Sequence, residues 1–415
     1  MSRIINILIV TLILLAIDLY AFQAVRTVMH NSGIHWKRFV AAVYWLISLI
    51  TLSFLWYVVF FDFYALPKII RVNLIGALFI FYIPKILIIV FLFIDDVIRL
   101  VKWSTSLFTK TSMDPTRKTI SRSEFLSQAG LLVSGFIFFQ FIYGMIRTAY
   151  DYEVRNVNLL LPNLPDEFNG LRIVQVSDIH SGSFTSKHPV EKIVEIVNAQ
   201  NADIIFFTGD LVNNISDEAL EYMEVLNKMK SKNGVVSIFG NHDYGDYYTW
   251  DSKEAKEENL VKLENIHKSL GWKLMRNTNF LLGTEGNQLA IIGVDNWSNV
   301  GHFPRYGDLK KAFAGAEHAR VKLLLSHDPS HWKGEVTRDF PDIDATFSGH
   351  THGFQFGFEI PGLRWSPSQY MYPQWAGLYK NAKQFLYVNR GVGFLGYNGR
   401  VGIAPEITVI ELRNS

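Results

Sequence analysis

Cysteine is absent from the 415 residues. Disulfides and thiolate ligands are therefore excluded, and any metal site must be built from His, Asp, Glu or Asn. An excess of charge of one sign is nearly absent too: 40 Lys and Arg against 38 Asp and Glu leave a net +2, and no nucleic-acid partner is expected from so small an imbalance. There is no internal repeat and no low-complexity tract. Apolar residues are plentiful, 49% with 14% aromatic, and they are unevenly spread. The length exceeds one ordinary compact domain, so more than one unit is expected.

Residues 1–150 read as an all-α transmembrane region of about four helices, near 4–22, 40–61, 72–94 and 129–146. Each run is about 20 residues long, which at about 1.5 Å per residue crosses a hydrocarbon core of about 30 Å. Pro84 falls inside the third run, where a membrane helix tolerates it. Asp18 is the only acid well inside these runs, which argues against a transporter. Arg26, Lys37, Arg38, Arg99, Lys102, Lys110, Arg117, Lys118 and Arg122 fall on one side of the membrane; Arg3, Lys68, Arg71, Arg147 and Arg155 fall on the other. The positive-inside tendency makes the first side cytoplasmic, with a loop at about 95–128. The expected protein is thus integral to a membrane with residues 151–415 on the extracytoplasmic side, and the resemblances given below imply a bacterial inner membrane. Ser121-Arg122-Ser123-Glu124-Phe125-Leu126 resembles a twin-arginine export signal, with Ser123 in place of the second arginine, and fits the same orientation.

From about Asp151 the pattern becomes α/β. Strand-length apolar runs end in polar residues: Leu171–Val176 leads to Asp178 and His180, Ile204–Phe207 to Asp210, and Val235–Phe239 to Asn241, His242 and Asp243. Val321–Leu325 leads to His327, and Ala345–Phe347 to Gly349-His350-Thr351-His352-Gly353. Val190, Ile193, Val194 and Val197 mark one helix face; Leu260, Leu263, Ile266 and Leu270 mark another; Asp217–Leu226 reads as a third helix. Loops at strand carboxyl ends can hold ligands in one crevice. Asp178, His180, Asp210, Asn241, His327, His350 and His352 form a set of hard or borderline donors suited to two divalent ions, Mn, Zn or Fe. Asp210 is the candidate to bridge them. His188, His267, His302, His318 and His331 fit no block and read as surface or loop histidines.

These blocks, in this order, resemble the calcineurin-like metallophosphoesterase family, in its membrane-associated bacterial branch with N-terminal transmembrane helices. The resemblance covers roughly residues 155–413 and implies a four-layer α-β-β-α sandwich in a domain spanning 151–415. It implies that Asp178, His180, Asp210 and His352 bind one ion, and Asp210, Asn241, His327 and His350 the other. It further implies phosphoester or pyrophosphate hydrolysis by a metal-bridging hydroxide, with His242 as the catalytic residue and Asp243 orienting it. Asn213 stands where the family often has a second Asp, so tuning rather than loss is expected. Arg390 is a candidate phosphate clamp. The competing reading is a catalytically silent metal-binding scaffold or sensor on a membrane bundle, against which the Asn241-His242 pair argues.

The substrate is least defined. Phe354, Phe356, Phe358, Trp365, Tyr370, Tyr372, Trp375 and Tyr379 crowd one stretch, which either packs beside the sheet or forms a lip admitting a lipid-linked phosphate. Relatives in this branch include hydrolases of UDP-diacylglucosamine, and that pyrophosphate, a candidate substrate, would require a cytoplasmic domain.

Overall fold

A computed structural model describes residues 2–61, 66–106, 121–301 and 303–414. The chain divides into two compact units, Met1–Tyr143 and Gly144–Ser415.

The first unit contains α1 (Ser2–Val28), α2 (Ile34–Phe60), α3 (Lys68–Ser106) and most of α4 (Arg122–Ile146). All are long and apolar enough to cross a membrane. Their limits exceed the apolar runs, most of all in α3, because helices continue through polar residues once these are paired. Asp95, which reads as the end of the third run, is buried and takes ion pairs from Arg99 at 2.9 Å and Arg122 at 2.7 Å. Arg122 of the export-signal-like stretch thus has a partner within the unit. Lys110, Arg117 and Lys118 lie outside the described residues.

Asp18 is buried and is not alone. Lys85 Nζ lies 2.5 Å from its carboxylate and also donates to Ser48 Oγ at 3.1 Å; the Tyr82 hydroxyl donates to the same carboxylate at 3.0 Å. These bonds tie α1, α2 and α3 together where small Ala21 and Ala24 allow close packing against Ile88 and Leu92. Lys85→Met strands a carboxylate and is expected to cost about 3 to 5 kcal/mol, while adding Asp18→Asn should recover most of it. Thermal midpoints in detergent measure both; equal midpoints for the single and double variants would contradict the pairing.

The second unit is built on two six-stranded sheets. The first runs β1 (Glu153–Leu160), β14 (Glu406–Arg413), β2 (Arg172–Val176), β3 (Ile204–Phe207), β4 (Val235–Ser237), β5 (Trp272–Leu274). The second runs β12 (Gly377–Asn381), β13 (Gln384–Val388), β9 (Ala345–Ser348), β8 (Val321–Leu325), β7 (Leu289–Gly293), β6 (Thr278–Leu282). A separate hairpin pairs β10 (Phe358–Ile360) with β11 (Leu363–Trp365). β2, β3 and β4 of the first sheet and β13, β9, β8 and β7 of the second run parallel and are buried on both faces, which explains their unbroken apolar runs; β14 pairs antiparallel with β2.

Alternation along those strands sorts the core into layers. Ile173, Phe206 and Val236 of one sheet meet Ile291, Leu323 and Phe347 of the other. On the outer face of the first sheet, Val174, Ile205 and Phe207 pack with Val190, Ile193 and Val197 of α5 (His188–Ala199) and Leu263 of α8 (Lys253–Ser269). Ala290, Ile292 and Leu324 cover the opposite face with Leu309, Trp332 and Val336. The result is the expected four-layer α-β-β-α sandwich.

Two expectations fail locally. Asp217–Leu226 forms two single turns, α6 (Asp217–Leu220) and α7 (Met223–Leu226), separated where buried Tyr222 donates to the Phe184 carbonyl at 2.7 Å. His267 and His331 are fully buried rather than at the surface. His331 bridges Ser326 Oγ at 2.8 Å and the Glu335 carboxylate at 2.7 Å. His267 bonds Ser237 Oγ at 2.9 Å.

Burial, with Arg276 nearby, pushes the His267 imidazole down to about 3. The unfolded chain binds a proton as pH falls below about 6.5 that the folded chain refuses until near its own value. Stability from this site is thus complete above the unfolded value and is lost as pH falls toward the folded one. His267→Gln, which preserves a partner for Ser237, should flatten the loss of thermal midpoint between about pH 7 and about pH 4. An unchanged slope would refute the assignment.

Candidate metal centre

Every candidate ligand leaves the carboxyl end of a parallel strand. β2 delivers Asp178 and His180, β3 Asp210, β4 Asn241 and His242, β8 His327, and β9 His350 and His352. The loops are sharply turned: Asp178, His180, Asp210, His350 and His352 all have positive φ, between 48° and 72°. Such conformations cost on the order of 1 to 3 kcal/mol each and persist only when the surroundings enforce them. Backbone bonds between loops do so, His180 N–H to the Asp210 carbonyl at 3.1 Å and Gly349 N–H to the His327 carbonyl at 2.9 Å. Two glycines are required for clearance. A Cβ on Gly240 would fall 2.2 Å from Asp210 Oδ1, and one on Gly349 2.2 Å from Asp178 Oδ2.

The structure brings the expected ligands into two groups of three, Asp178, His180, His352 and Asp210, His327, His350. His352 Nε2 lies 3.3 Å from Asp178 Oδ1 and 3.1 Å from His180 Nε2. Asp210 Oδ2 lies between the groups, 3.5 Å from His180 Nε2 and 3.2 Å from His327 Nε2. Asn241 Oδ1 approaches His350 Nδ1 at 2.7 Å. Ligands bound at about 2.0 to 2.2 Å in tetrahedral or octahedral geometry lie about 3.0 to 3.5 Å apart, so these spacings suit a cation between the donors. His327 Nε2 is also buried, and its approach to Asp210 Oδ2 lacks the alignment of a hydrogen bond.

The electrostatics agree. Burial raises the Asp178 and Asp210 carboxyls, but His352 beside the first and His327 and His242 beside the second outweigh it, so both stay well below the usual carboxylate range. Burial alone would lower His327, yet the facing Asp210 and Asp178 carboxylates push it up to about 10. In the protein alone, a proton on His327 thus supplies the positive charge these acids require. Burial holds His180, His350 and His242 below the ordinary histidine value, in the neutral form that binds metal or exchanges protons.

Several supporting roles differ from expectation. Asp243 does not orient His242; its carboxylate accepts the N–H groups of Gly240 and Asp210 at 2.8 Å and Leu211 at 2.9 Å, shaping the Asp210 loop. His242 is oriented instead by the Asn213 carbonyl, 2.6 Å from Nδ1, so the backbone of Asn213 serves the site. Arg390 is no phosphate clamp. It is buried and held between Glu359 and Glu406. Tyr372, read as one aromatic of a loop, places its hydroxyl 2.7 Å from His350 Nε2; Tyr247 accepts from Asn241 Nδ2 at 2.9 Å; the Thr208 carbonyl faces His327 Nδ1 at 2.7 Å. No local motif marks these partners, although Tyr247 follows the Asn241-His242 block closely.

Residues 171–354 match the family profile "Calcineurin-like phosphoesterase", and residues 2–149 match "Probable Calcineurin-like phosphoesterase, transmembrane domain". A transmembrane protein with metallophosphoesterase domain from Danio rerio is 30% identical over 66% of this chain and 60% of its own length. One of the same description from Bos taurus is 28% identical over 73% of this chain and 65% of its own. An uncharacterised metallophosphoesterase of Bacillus subtilis is 28% identical over 72% of this chain and 99% of its own. The chain thus spans less than two thirds of the two animal relatives, and relatives occur in animals as well as bacteria. The two profiles, which together take in most of the chain, place it in the calcineurin-like phosphoesterase family, in a form that carries a transmembrane domain with four membrane-length helices.

Proposed function

We propose that the second unit is a two-metal phosphohydrolase, with Asp178, His180, Asp210 and His352 holding one ion and Asp210, Asn241, His327 and His350 the other. The observation that carries this is Asp210 Oδ2, set within 3.5 Å of a histidine from each donor group. Two divalent ions, when bound, supply an ionised water near neutral pH and polarise the phosphoryl oxygens. His242 stands beside them, its N–H on Asp210 Oδ1 at 2.9 Å. Because a carbonyl can only accept, Nδ1 carries the ring proton shared with Asn213, and Nε2 is free to exchange a proton with the leaving oxygen.

A cavity of about 360 Å³ opens over these residues, walled by Phe303, Phe354, Pro367, Met371 and Leu395, with no Lys or Arg among its described lining residues. Phe354 and Met371 are 59% and 52% exposed at its rim. This lining supports a substrate with one phosphate and an apolar body, a lipid-linked phosphoester among them. For the second phosphate of a UDP-type pyrophosphate, the described lining residues offer no Lys or Arg. The loop charges support an extracytoplasmic position for this unit.

Trp375 belongs to the core, so the rim is the place to test the substrate. Phe354→Ser with Met371→Ser should raise KM for a long-chain alkyl phosphoester by about tenfold and spare a methyl or aryl phosphoester. Equal effects on both would sink the apolar-substrate reading.

A further inference from the structure

The connection between α1 and α2 encloses a second cavity, about 370 Å³, that the phosphohydrolase reading does not use. Its floor is apolar, with Phe22, Val25 and Val40; its polar edge carries Arg26, His30 and Lys37. Lys37 Nζ is fixed at that edge by the His30 carbonyl at 2.6 Å, which leaves further N–H groups to offer. Arg26 is exposed. No acidic residue occurs between Asp18 and Asp62, so nothing within this stretch of chain neutralises the cluster. At the start of α2, Trp36 and Phe39 stack at 5.4 Å while remaining 56% and 57% exposed, as aromatic side chains do at the level of lipid headgroups.

A basic edge above an apolar floor, at the end of two membrane-length helices, matches a ligand that is anionic at one end and apolar at the other. We propose that this cleft binds an anionic phospholipid, its phosphate met by Arg26, Lys37 and His30 and the first part of its chains by Phe22, Val25 and Val40. A bilayer supplies such molecules with the headgroup at this level, and the attraction of basic side chains at a membrane surface to anionic lipid is general. What the cavity adds is a defined seat. Arg38 provides the comparison, because it is exposed on the same stretch and does not line the cleft.

The test uses the full chain in a non-ionic detergent, titrated with phosphatidylglycerol, phosphatidylcholine or inorganic phosphate, with the thermal midpoint and lipid adducts in native mass spectrometry as readouts. Phosphatidylglycerol should bind saturably and raise the midpoint, and the other two should not. Arg26→Gln with Lys37→Gln should weaken that binding by roughly tenfold or more, and Arg38→Gln should leave it as in the unaltered chain. Arg26→Gln alone, at an exposed position, should also weaken it, which guards against misfolding of the double variant. Aryl phosphate turnover should not change in any of them. Equal weakening by Arg38→Gln would overturn the seat in favour of diffuse attraction. Saturable binding of inorganic phosphate at the same residues would overturn a lipid as the ligand, and so would unweakened phosphatidylglycerol binding to the double variant.

Discussion

Asp210→Asn is expected to lower phosphoester turnover by about 10³-fold or more, because on the two-metal proposal it withdraws the carboxylate that would bridge the ions and with it several kcal/mol of transition-state stabilisation. The substitution preserves shape: the amide oxygen can still accept the His242 N–H, which now meets Oδ1 at 2.9 Å. It removes the charge between His180 and His327. His327, raised to about 10 chiefly by Asp210, should lose most of that elevation in the metal-free protein and titrate nearer its ordinary range, an effect visible by NMR. Bound metal should fall below two ions per chain. Full metal content together with full turnover would show that Asp210 is not the bridge.

His242→Ala should behave differently. Its imidazole belongs to neither donor group, so metal content should be unchanged while kcat falls by about 10² to 10⁴. The size of the loss should depend on the leaving group. If Nε2 protonates the departing oxygen, an alkyl phosphoester needs that proton and suffers the full loss. A nitrophenyl ester, whose leaving group departs as a stable anion, suffers much less. A loss independent of the leaving group would move His242 from proton transfer to charge stabilisation by its ring.

Much of this centre is legible in the sequence because each ligand block sits immediately after a buried strand, and strand ends are visible as the end of an apolar run. Asp178 after β2 and His327 after β8 are found in this way, without any knowledge of which strands are neighbours. Partners that depend on neighbours are not. Arg390 in its Gly-rich loop looks free for phosphate until Glu359 and Glu406, distant in the chain, close on it. Asp243 looks like a partner for His242 because it is adjacent, yet it points to the backbone of the Asp210 loop. His267 looks like a surface group on a charged helix but lies on the face that packs against Phe207 and Trp272.

The membrane region shows the same division. Hydropathy marks where hydrocarbon must be crossed, and it locates all four helices. It does not mark where a helix ends, because Asp95 interrupts the apolar run while the helix continues to Ser106. Nor does it show that Asp18 has a cation, since Lys85 lies in a different run. Edge strands such as β6 and the β10–β11 hairpin escape for a related reason: each is short and partly exposed, so its alternation is weak.

The most direct test of the two-metal centre is metal content measured alongside turnover. The full chain, purified in detergent, would be stripped with a chelator and then titrated with Mn, Zn or Fe, while hydrolysis of an aryl phosphate and an aryl phosphodiester is followed. Two ions bound per chain, with turnover absent before they bind and restored as the second site fills, is the predicted result. Turnover that survives stripping, or a chain that saturates at one ion with full activity, would contradict it.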